Sequence, residues 1–230
     1  MERLAAPSPG NAYSHGWKIL KKNFLELLLI IFVVAVVETP MGYFNREVIE
    51  FTSYGYEGSG MYNNFYSMLY GLLVVTPFQF GATFLFLKAV RGEKFEIRTI
   101  ISPFNRFFDV IFAQILVVGI VAIGIVMLII PGIIFAIRLV FVPYLVMDKG
   151  LDAIGAVKAS WKMTSGYSWN IFGMGILAFF IFIGGLLFLI VGVFVSIIWV
   201  SAAFASLYFA VDTIKNPPKE ESEAGSVTIN

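Results

Sequence analysis

Six long apolar runs limit this chain more than any other feature of its sequence. A helix that crosses a bilayer needs about 20 mostly apolar residues, and the runs approach or exceed that length. They are numbered here as predicted spans 1 to 6: 24–37 (extended at its start by 17–22), 65–90, 107–130, 131–147, 169–191 and 193–211. Charged residues make up 13% of the chain and hydrophobic residues 59%, whereas soluble domains carry about 25% charged residues. The sequence therefore predicts an all-α, polytopic integral membrane bundle with six transmembrane helices, and it excludes a soluble enzyme.

The connections between the spans predict one domain with helices at its cytoplasmic surface. Residues 1–214 are expected to form a single six-span domain. The polar segment 215–230, which holds two prolines, is expected to be a disordered cytoplasmic tail. One apolar stripe, at steps of three and four residues, runs through 150–166: Leu151, Ile154, Val157 and Trp161. That stripe predicts a short helix in the membrane interface, and residues 39–63 are predicted to form a long outer loop.

Lysine and arginine are distributed unevenly between the two sides of the predicted bundle. Four precede span 1, five lie around the connection of spans 2 and 3, three lie between spans 4 and 5, and two follow span 6. The opposite side has Arg46 alone, and Arg138 lies within span 4. Because cytoplasmic loops carry the excess of these residues, we expect a multi-pass protein of the cell (inner) membrane with both termini cytoplasmic.

Cysteine and histidine usage argues against metal chemistry and catalysis. The chain has no cysteine and one histidine, His15, so neither a metal nor a cofactor is expected. His15 is interpreted as a solvated interfacial residue, and no histidine or lysine base is expected beside the serines of span 6. The net charge is only +1, without a concentrated basic face, which argues against a nucleic-acid partner. We therefore expect a non-enzymatic protein.

Arg138 is the charged residue that most needs an explanation in a membrane protein. It lies seven positions after Pro131, about 10 Å below the outer end of span 4 at 1.5 Å per residue. An arginine at that depth costs at least about 2.5–3.5 kcal/mol, so a partner is expected. One interpretation is contact with an anionic ligand, such as a lipid phosphate or a carboxylate. The other is structural: snorkelling to the outer face, or bonding to water, backbone carbonyls, Gln79, Gln114 or Tyr144.

Two prolines inside predicted spans mark a second candidate region. Pro77 in span 2 and Pro143 in span 4 each remove a backbone hydrogen bond and bend the helix. Thr76, Gln79 and Gln114 are polar residues that can bond the freed groups or line a cavity. We therefore take Gln79 and Gln114, together with the arginine of span 4, as candidate ligand-binding residues. Kinked helices beside polar residues suit a transport path, and they also occur in ordinary packed bundles.

The second half of the chain carries a pattern of residues found in a bacterial membrane family. The pattern extends over residues 88–215 and consists of Pro131-Gly132, Arg138, Pro143, Asp148, Ala153, Ala156, Ser160-Trp161, Thr164, Gly166 and Trp169. It resembles the membrane domain associated with glycerophosphoryl diester phosphodiesterases, and related stand-alone six-span membrane proteins of unknown function. In the fused proteins a separate barrel performs the hydrolysis, and these six spans leave no room for such a domain of about 250 residues. The resemblance implies a six-span membrane fold linked to lipid head groups, and no phosphodiesterase chemistry.

These observations give one leading functional hypothesis and one alternative. The leading hypothesis is a non-enzymatic integral membrane protein that handles lipid or assists a membrane partner. Its expected partners are the lipid bilayer, a bound phospholipid, and either another membrane protein or a second copy of the chain. In span 6, Ala202, Ser206 and Ala210 place a small residue at every fourth position, which favours close packing within the chain first and between copies second. The alternative is a transporter or channel for small solutes.

Overall fold

Helices form throughout the part of the chain that the structure describes. The structure, a computed structural model, describes residues 7–53, 59–94, 96–187 and 189–216, and no strand occurs among them. The predicted all-α fold is confirmed for these residues. Six helical segments within them are long and apolar enough to cross a membrane: Phe24–Met41, Phe65–Arg91, Ile97–Met127, Ile129–Asp148, Ser168–Leu187 and Val191–Lys215.

The α-helices are numbered in chain order. The first five are α1 (Pro9–Lys22), α2 (Phe24–Ser53), α3 (Ser59–Tyr70), α4 (Thr76–Arg91) and α5 (Phe107–Met127). The others are α6 (Ile129–Leu139), α7 (Val142–Asp148), α8 (Ala153–Thr164), α9 (Ser168–Leu187) and α10 (Leu189–Lys215). A π-helical turn, Gly71–Val75, precedes α4, and a 3₁₀ segment, Ile97–Arg106, precedes α5.

Helix α1 is a separate amphipathic helix. The hydroxyl of Ser8 caps it by accepting a bond from the backbone N–H of Asn11 at 3.3 Å, and Pro9 suits the first helical position because its missing N–H is not needed there. The helix stops before Asn23, and α2 begins afresh at Phe24. The prediction that residues 17–22 extend span 1 is therefore wrong. One face of α1 is buried, and it consists of Ala12, Tyr13, Gly16, Ile19 and Leu20.

Helix α1 lies across the bundle and contacts α9, α10, α2 and α4. The hydroxyl of Tyr13 donates to the backbone carbonyl of Met174 at 2.9 Å, and burial raises the pKa of Tyr13 to about 12. The crossing with α10 is close, since a Cβ on Gly16 would lie 2.8 Å from the backbone nitrogen of Ala203. Ala202, Ser206 and Ala210 are all buried in this structure. The small residues of predicted span 6 thus pack within the chain.

Two tight hairpins connect neighbouring apolar helices. Helices α5 and α6 are joined through the single extended residue Leu128, and a Cβ on Gly124 would lie 2.9 Å from the Cα of Gly132. The predicted joint at Pro131-Gly132 is therefore displaced, because Pro131 lies in the first turn of α6, where a proline is tolerated. At the second hairpin, Gly185 of α9 lies against the backbone of Gly192 in α10.

Much of the predicted outer loop is helical. Helix α2 continues through Pro40 to Ser53, and α3 begins at Ser59. Residues 54–58 lie outside the described residues. The prediction of a loop over 39–63 is wrong because it took the end of the apolar run as the end of the helix. Polar residues at the end of an apolar run continue a helix as readily as they leave it.

Predicted span 4 consists of two helices. Helix α6 ends at Leu139, and α7 begins at Val142. Pro143 has no N–H to donate to the carbonyl of Leu139, so the helical ladder breaks at this point. Arg138 lies at the end of α6, and the depth predicted for it on one continuous helix does not apply.

The far end of α10 also differs from the prediction. Lys215, which was expected to begin the disordered tail, is the last residue of α10. Residues 217–230, the remainder of that predicted tail, lie outside the part of the chain that the structure describes.

The outer surface of the bundle is apolar, and charged side chains gather at one end. Large apolar residues on α2, α5, α6 and α9 are exposed, among them Leu25, Phe32, Phe108, Val126, Ile129 and Phe180. An apolar surface of this extent suits contact with lipid. The last turns of α4, α7 and α10 meet at ion pairs, and we call this the basic end of the bundle.

Candidate functional site

Five charged or polar side chains interlock at the basic end, and we call them the Asp148 cluster: Arg91, Asp148, Lys149, Tyr208 and Asp212. The guanidinium of Arg91 donates to both carboxylate oxygens of Asp148, at 2.5 and 2.7 Å. The hydroxyl of Tyr208 donates to Oδ2 of the same carboxylate at 2.9 Å. The ammonium of Lys149 lies 2.8 Å from Oδ2 of Asp212. These contacts tie α4, α7 and α10 together.

The Asp148 cluster is enclosed and balanced in charge. The side chains of Asp148 and Asp212 are only 7% and 8% exposed. Two cations face two carboxylates, so no charge in the cluster is left without a counter-charge. A saturated cluster of this kind has little capacity for a ligand. We therefore assign it to holding the three helix ends together.

Arg138 lies in a second group at the broken helix, and we define the Arg138 site as Arg138, Trp161, Lys162 and Lys215. The guanidinium carbon of Arg138 lies 5.7 Å from the centre of the Trp161 ring, a cation–π contact. The ammonium of Lys215 donates to the backbone carbonyls of Lys162 at 2.7 Å and Ser165 at 2.9 Å. The positive charges of Arg138 and Lys162 both act on that ammonium.

Helix α8 fixes the backbone of the Arg138 site. The hydroxyl of Ser160 donates to the carbonyl of Arg138 at 2.7 Å and accepts from the N–H of Phe141 at 3.3 Å. The hydroxyl of Thr164 lies 3.4 Å from the same carbonyl, but the carbonyl of Ser160 is nearer to it, at 2.9 Å, and receives its one hydrogen. The buried hydroxyl of Ser160 therefore bonds both backbone groups that the break between α6 and α7 leaves free.

The guanidinium of Arg138 itself is not neutralised. No carboxylate lies within 4 Å of it among the residues that the structure describes. Its Nη1 is enclosed by protein atoms and has no hydrogen-bond partner there. The bonds considered from the sequence, to Gln79, Gln114 or Tyr144, do not form. The site thus combines three cations and an indole ring without an acidic residue.

Gln79 and Gln114 line a separate cavity of about 790 Å³, which we call the Glu38 cavity. The amide of Gln79 donates to Oε1 of Glu38 at 2.9 Å. The walls come from α2, α3, the π-helical turn, α4 and α5, and the lining residues are Glu38, Met41, Met68, Gly71, Leu72, Val75, Thr76, Gln79, Gln114, Ile115, Val118 and Gly119. Arg138 does not line this cavity. The three predicted ligand-binding residues therefore divide between two places.

The π-helical turn explains how α4 accommodates its proline. Pro77 cannot donate a backbone bond, and the hydroxyl of Thr76 donates to the carbonyl of Gly71 at 3.1 Å. The carbonyl of Gly71 already accepts from the backbone N–H of Thr76, so it is not the group that Pro77 leaves without a donor. Of the two roles considered for Thr76 from the sequence, the structure shows the lining of a cavity. π-Helical turns are often found at functional sites, and four of the cavity-lining residues, Gly71, Leu72, Val75 and Thr76, belong to this turn or follow it directly.

His15 is partly buried and packs against α10, so two interpretations from the sequence are wrong: it is not a fully solvated residue, and a histidine does lie beside a serine of span 6. Its Nδ1 lies 2.9 Å from the hydroxyl oxygen of Ser206. That hydroxyl donates its one hydrogen to the carbonyl of Ala202 at 2.7 Å, so the imidazole is the donor in the contact. A serine whose hydroxyl hydrogen is directed away from the histidine is not activated as a nucleophile. The pair is therefore interpreted as a packing contact between α1 and α10.

Sequence reasoning missed the Asp148 cluster and the participation of Glu38. Arg91 and Asp148 are 57 residues apart, and both were interpreted only as markers of span ends or of a family pattern. From the sequence, Glu38 lies at the outer end of span 1, where it is expected to snorkel to the interface or pair with a nearby lysine or arginine; its observed partner is the amide of Gln79. The sequence feature that could have drawn attention to Glu38 is its position as a carboxylate within an apolar segment.

Neither a search for metal-ligating side chains nor a comparison with known proteins identifies a further site in the described residues. No group of three or more potential metal-ligating side chains occurs within the described ranges. Compared with protein families, curated proteins and solved structures, the chain matches none.

Proposed function

We propose that this chain is a non-enzymatic integral membrane protein that binds an anionic lipid head group at the Arg138 site. The proposal places it in the cell (inner) membrane with both termini cytoplasmic, acting alone or as an accessory to a membrane partner. The observation that carries it is the guanidinium of Arg138, which contacts the indole of Trp161, acts electrostatically on the ammonium of Lys215 and has no carboxylate within 4 Å among the described residues.

An anionic head group supplies what this guanidinium lacks. The positive charge of Arg138 has no carboxylate close to it, and a phosphate offers several acceptor oxygens to a guanidinium and neutralises part of its charge. Because Nη1 is enclosed by protein atoms, the anion is proposed to contact the rest of this partly exposed residue.

The outward face of α8 supports a lipid ligand over a soluble anion. Ile154 is 56% exposed and Trp161 is 41% exposed, while Lys158 and Lys162 are exposed on the same helix. The inward face consists mostly of small and polar residues, including Ala156 and Ser160, together with Met163. A helix that presents apolar, aromatic and lysine side chains outward suits the boundary between head groups and acyl chains.

Native mass spectrometry of protein extracted with phosphatidylglycerol tests the proposal. We expect bound phosphatidylglycerol on the wild type and at least about tenfold less on Arg138→Gln, because a charge-assisted contact with phosphate is removed. Lys94→Gln, which removes an exposed lysine between α4 and the 3₁₀ segment, is the matched control and is expected to bind like the wild type. Equal lipid on wild type and Arg138→Gln, with both folded, contradicts the proposal.

A second candidate function, transport of a small solute, is favoured by the Glu38 cavity. The cavity combines an irregular helix with polar lining side chains, among them Glu38, Gln79 and Gln114. Broken or irregular helices beside polar groups are common in transporters. The measurement is solute uptake into proteoliposomes, comparing the wild type with a variant whose cavity is filled. Uptake that is absent for every solute class tested, or unchanged by filling the cavity, argues against this function.

A further inference from the structure

Among the lining residues that the structure describes, Glu38 is the one charged group of the Glu38 cavity, and it has no cationic partner there. Glu38 lies inside the apolar segment Phe24–Met41, where an ionised carboxylate is costly. Its bond from the Gln79 amide leaves the negative charge in place. No lysine or arginine lies within 4 Å of it in the part of the chain that the structure describes. A cation within the cavity would offset the cost of this carboxylate.

The rest of the cavity wall is mainly apolar and opens toward the outer surface. Met68 is 64% exposed, and Ile115 and Val118 are also exposed, although all three line the cavity. The opening therefore leads through the apolar surface that suits lipid. Methionine side chains adapt to ligands of different shape, and two of them, Met41 and Met68, belong to the wall.

The size of the cavity suits a molecule larger than an inorganic ion. Its volume of about 790 Å³ lies within the range of about 300–1,000 Å³ typical of small-molecule pockets. The opening at Met68 lets an apolar tail continue along the outside of the bundle. A ligand of this site is expected to combine one positive charge with an apolar body.

We infer that the Glu38 cavity binds an amphiphile that carries an ammonium group. Glu38 is the counter-ion, the amide oxygens of Gln79 and Gln114 accept hydrogen bonds from the ligand, and the apolar walls hold its body. Two sources share this chemistry: an aminophospholipid, such as phosphatidylethanolamine, and a lipophilic cationic solute. The site is independent of the Arg138 site, whose charges are of the opposite sign.

The first experiment removes the charge of Glu38. Rhodamine 6G, a fluorescent lipophilic cation, is titrated into purified protein in zwitterionic detergent and followed by fluorescence polarisation. We expect Glu38→Gln to weaken its binding at least about tenfold, because the delocalised cation of the dye, which carries N–H donors, loses a charge-assisted contact with the carboxylate. Glu26→Gln is the matched control, since Glu26 is an exposed carboxylate on the same helix, and it is expected to bind like the wild type.

The second experiment fills the cavity without changing its charge. Gly119 lines the cavity, and a Cβ on it would meet no atom within 4 Å. Gly119→Leu is therefore expected to fold and to abolish binding of rhodamine 6G. Gly175 on α9 also has open space at its Cβ, so Gly175→Leu is the matched control and is expected to retain binding.

The outcomes separate the two ligand sources from each other and from the Arg138 proposal. Phosphatidylethanolamine that stays on the wild type in native mass spectrometry and leaves Glu38→Gln supports the inference with a lipid as the source. Loss of rhodamine 6G alone supports it with a cationic solute as the source. Arg138→Gln is expected to keep rhodamine 6G binding, and Glu38→Gln is expected to keep phosphatidylglycerol. The inference is overturned if the folded wild type binds neither rhodamine 6G nor phosphatidylethanolamine. It is also overturned if Glu38→Gln and Gly119→Leu bind these ligands as well as the wild type does.

Discussion

Replacing Asp148 with asparagine tests whether the Asp148 cluster holds the basic end together. Asparagine keeps the size of the side chain and still accepts from the hydroxyl of Tyr208, so the substitution removes mainly the charge. Arg91 would then keep only two distant carboxylates, Glu93 and Asp212, each at 4.0 Å. Its side chain is 17% exposed, and water cannot solvate it fully.

The expected magnitude follows from the burial of the pair. Breaking a buried ion pair by removing one partner costs about 3–5 kcal/mol. The two remaining carboxylates near Arg91 place Asp148→Asn at the lower end, about 3 kcal/mol of unfolding free energy. Asp109→Asn is the matched control, because it breaks the 2.9 Å pair with Arg106, whose side chains are 33% and 36% exposed. Such an exposed pair is worth about 0–1 kcal/mol.

The assay is reversible unfolding in mixed micelles by titration with sodium dodecyl sulfate, followed by tryptophan fluorescence. The double variant Arg91→Met with Asp148→Leu is expected to be more stable than Asp148→Asn alone, since it leaves no uncompensated charge from this pair. The reasoning is refuted if Asp148→Asn and Asp109→Asn lower the unfolding free energy equally. A double variant that is less stable than Asp148→Asn also refutes it.

Three further predictions follow from the packing and the charge distribution. Gly16→Leu is expected to lower the unfolding free energy by about 1–3 kcal/mol through overpacking at the α1–α10 crossing. Gly10→Leu, with open space at its Cβ, is expected to change the unfolding free energy little. Equal melting temperatures of the two variants would contradict this prediction. Ser160→Ala is expected to cost about 1–3 kcal/mol, because two buried backbone groups lose a partner; an unchanged titration midpoint would show that water replaces the hydroxyl. In this chain without cysteine, a single cysteine at Gly55 is expected to react with an impermeant maleimide from outside and one at Ser165 only from the cytoplasm; the reverse pattern would contradict the proposed orientation.

The number of apolar helices could be predicted from the sequence because it depends on a local property. A segment without charges over about 20 residues can be recognised without knowing its neighbours. The same approach failed where helix ends depend on single residues. Ser8 and Pro9 start α1 as a separate helix, and Pro143 divides predicted span 4. Both signals were present in the sequence, but they were given less weight than hydropathy.

The contacts between polar residues could not be predicted, because they depend on how the helices pack. Gln79 donates to Glu38 across 41 positions of sequence, and Tyr208 donates to Asp148 across 60. Hydropathy fixes which residues lie within a span, but the rotation of each helix about its axis decides which residues meet. That rotation depends on close contacts such as the one at Gly16, which become visible only in three dimensions.

The limit of sequence-based prediction is clearest for the three candidate ligand-binding residues, Arg138, Gln79 and Gln114. From the sequence, they formed one candidate set because each is polar within an apolar span. In the structure, Arg138 contacts Trp161 and acts electrostatically on Lys215, the last residue of α10. Gln79 bonds the carboxylate of Glu38, and along α4 it lies about 18 Å from Arg91, at 1.5 Å per residue. The three residues are alike in polarity, but Arg138 lies among positive charges and the two glutamines lie beside a negative one. One site calls for an anion and the other for a cation, so a single ligand shared by all three residues is the hypothesis that the structure argues against most directly.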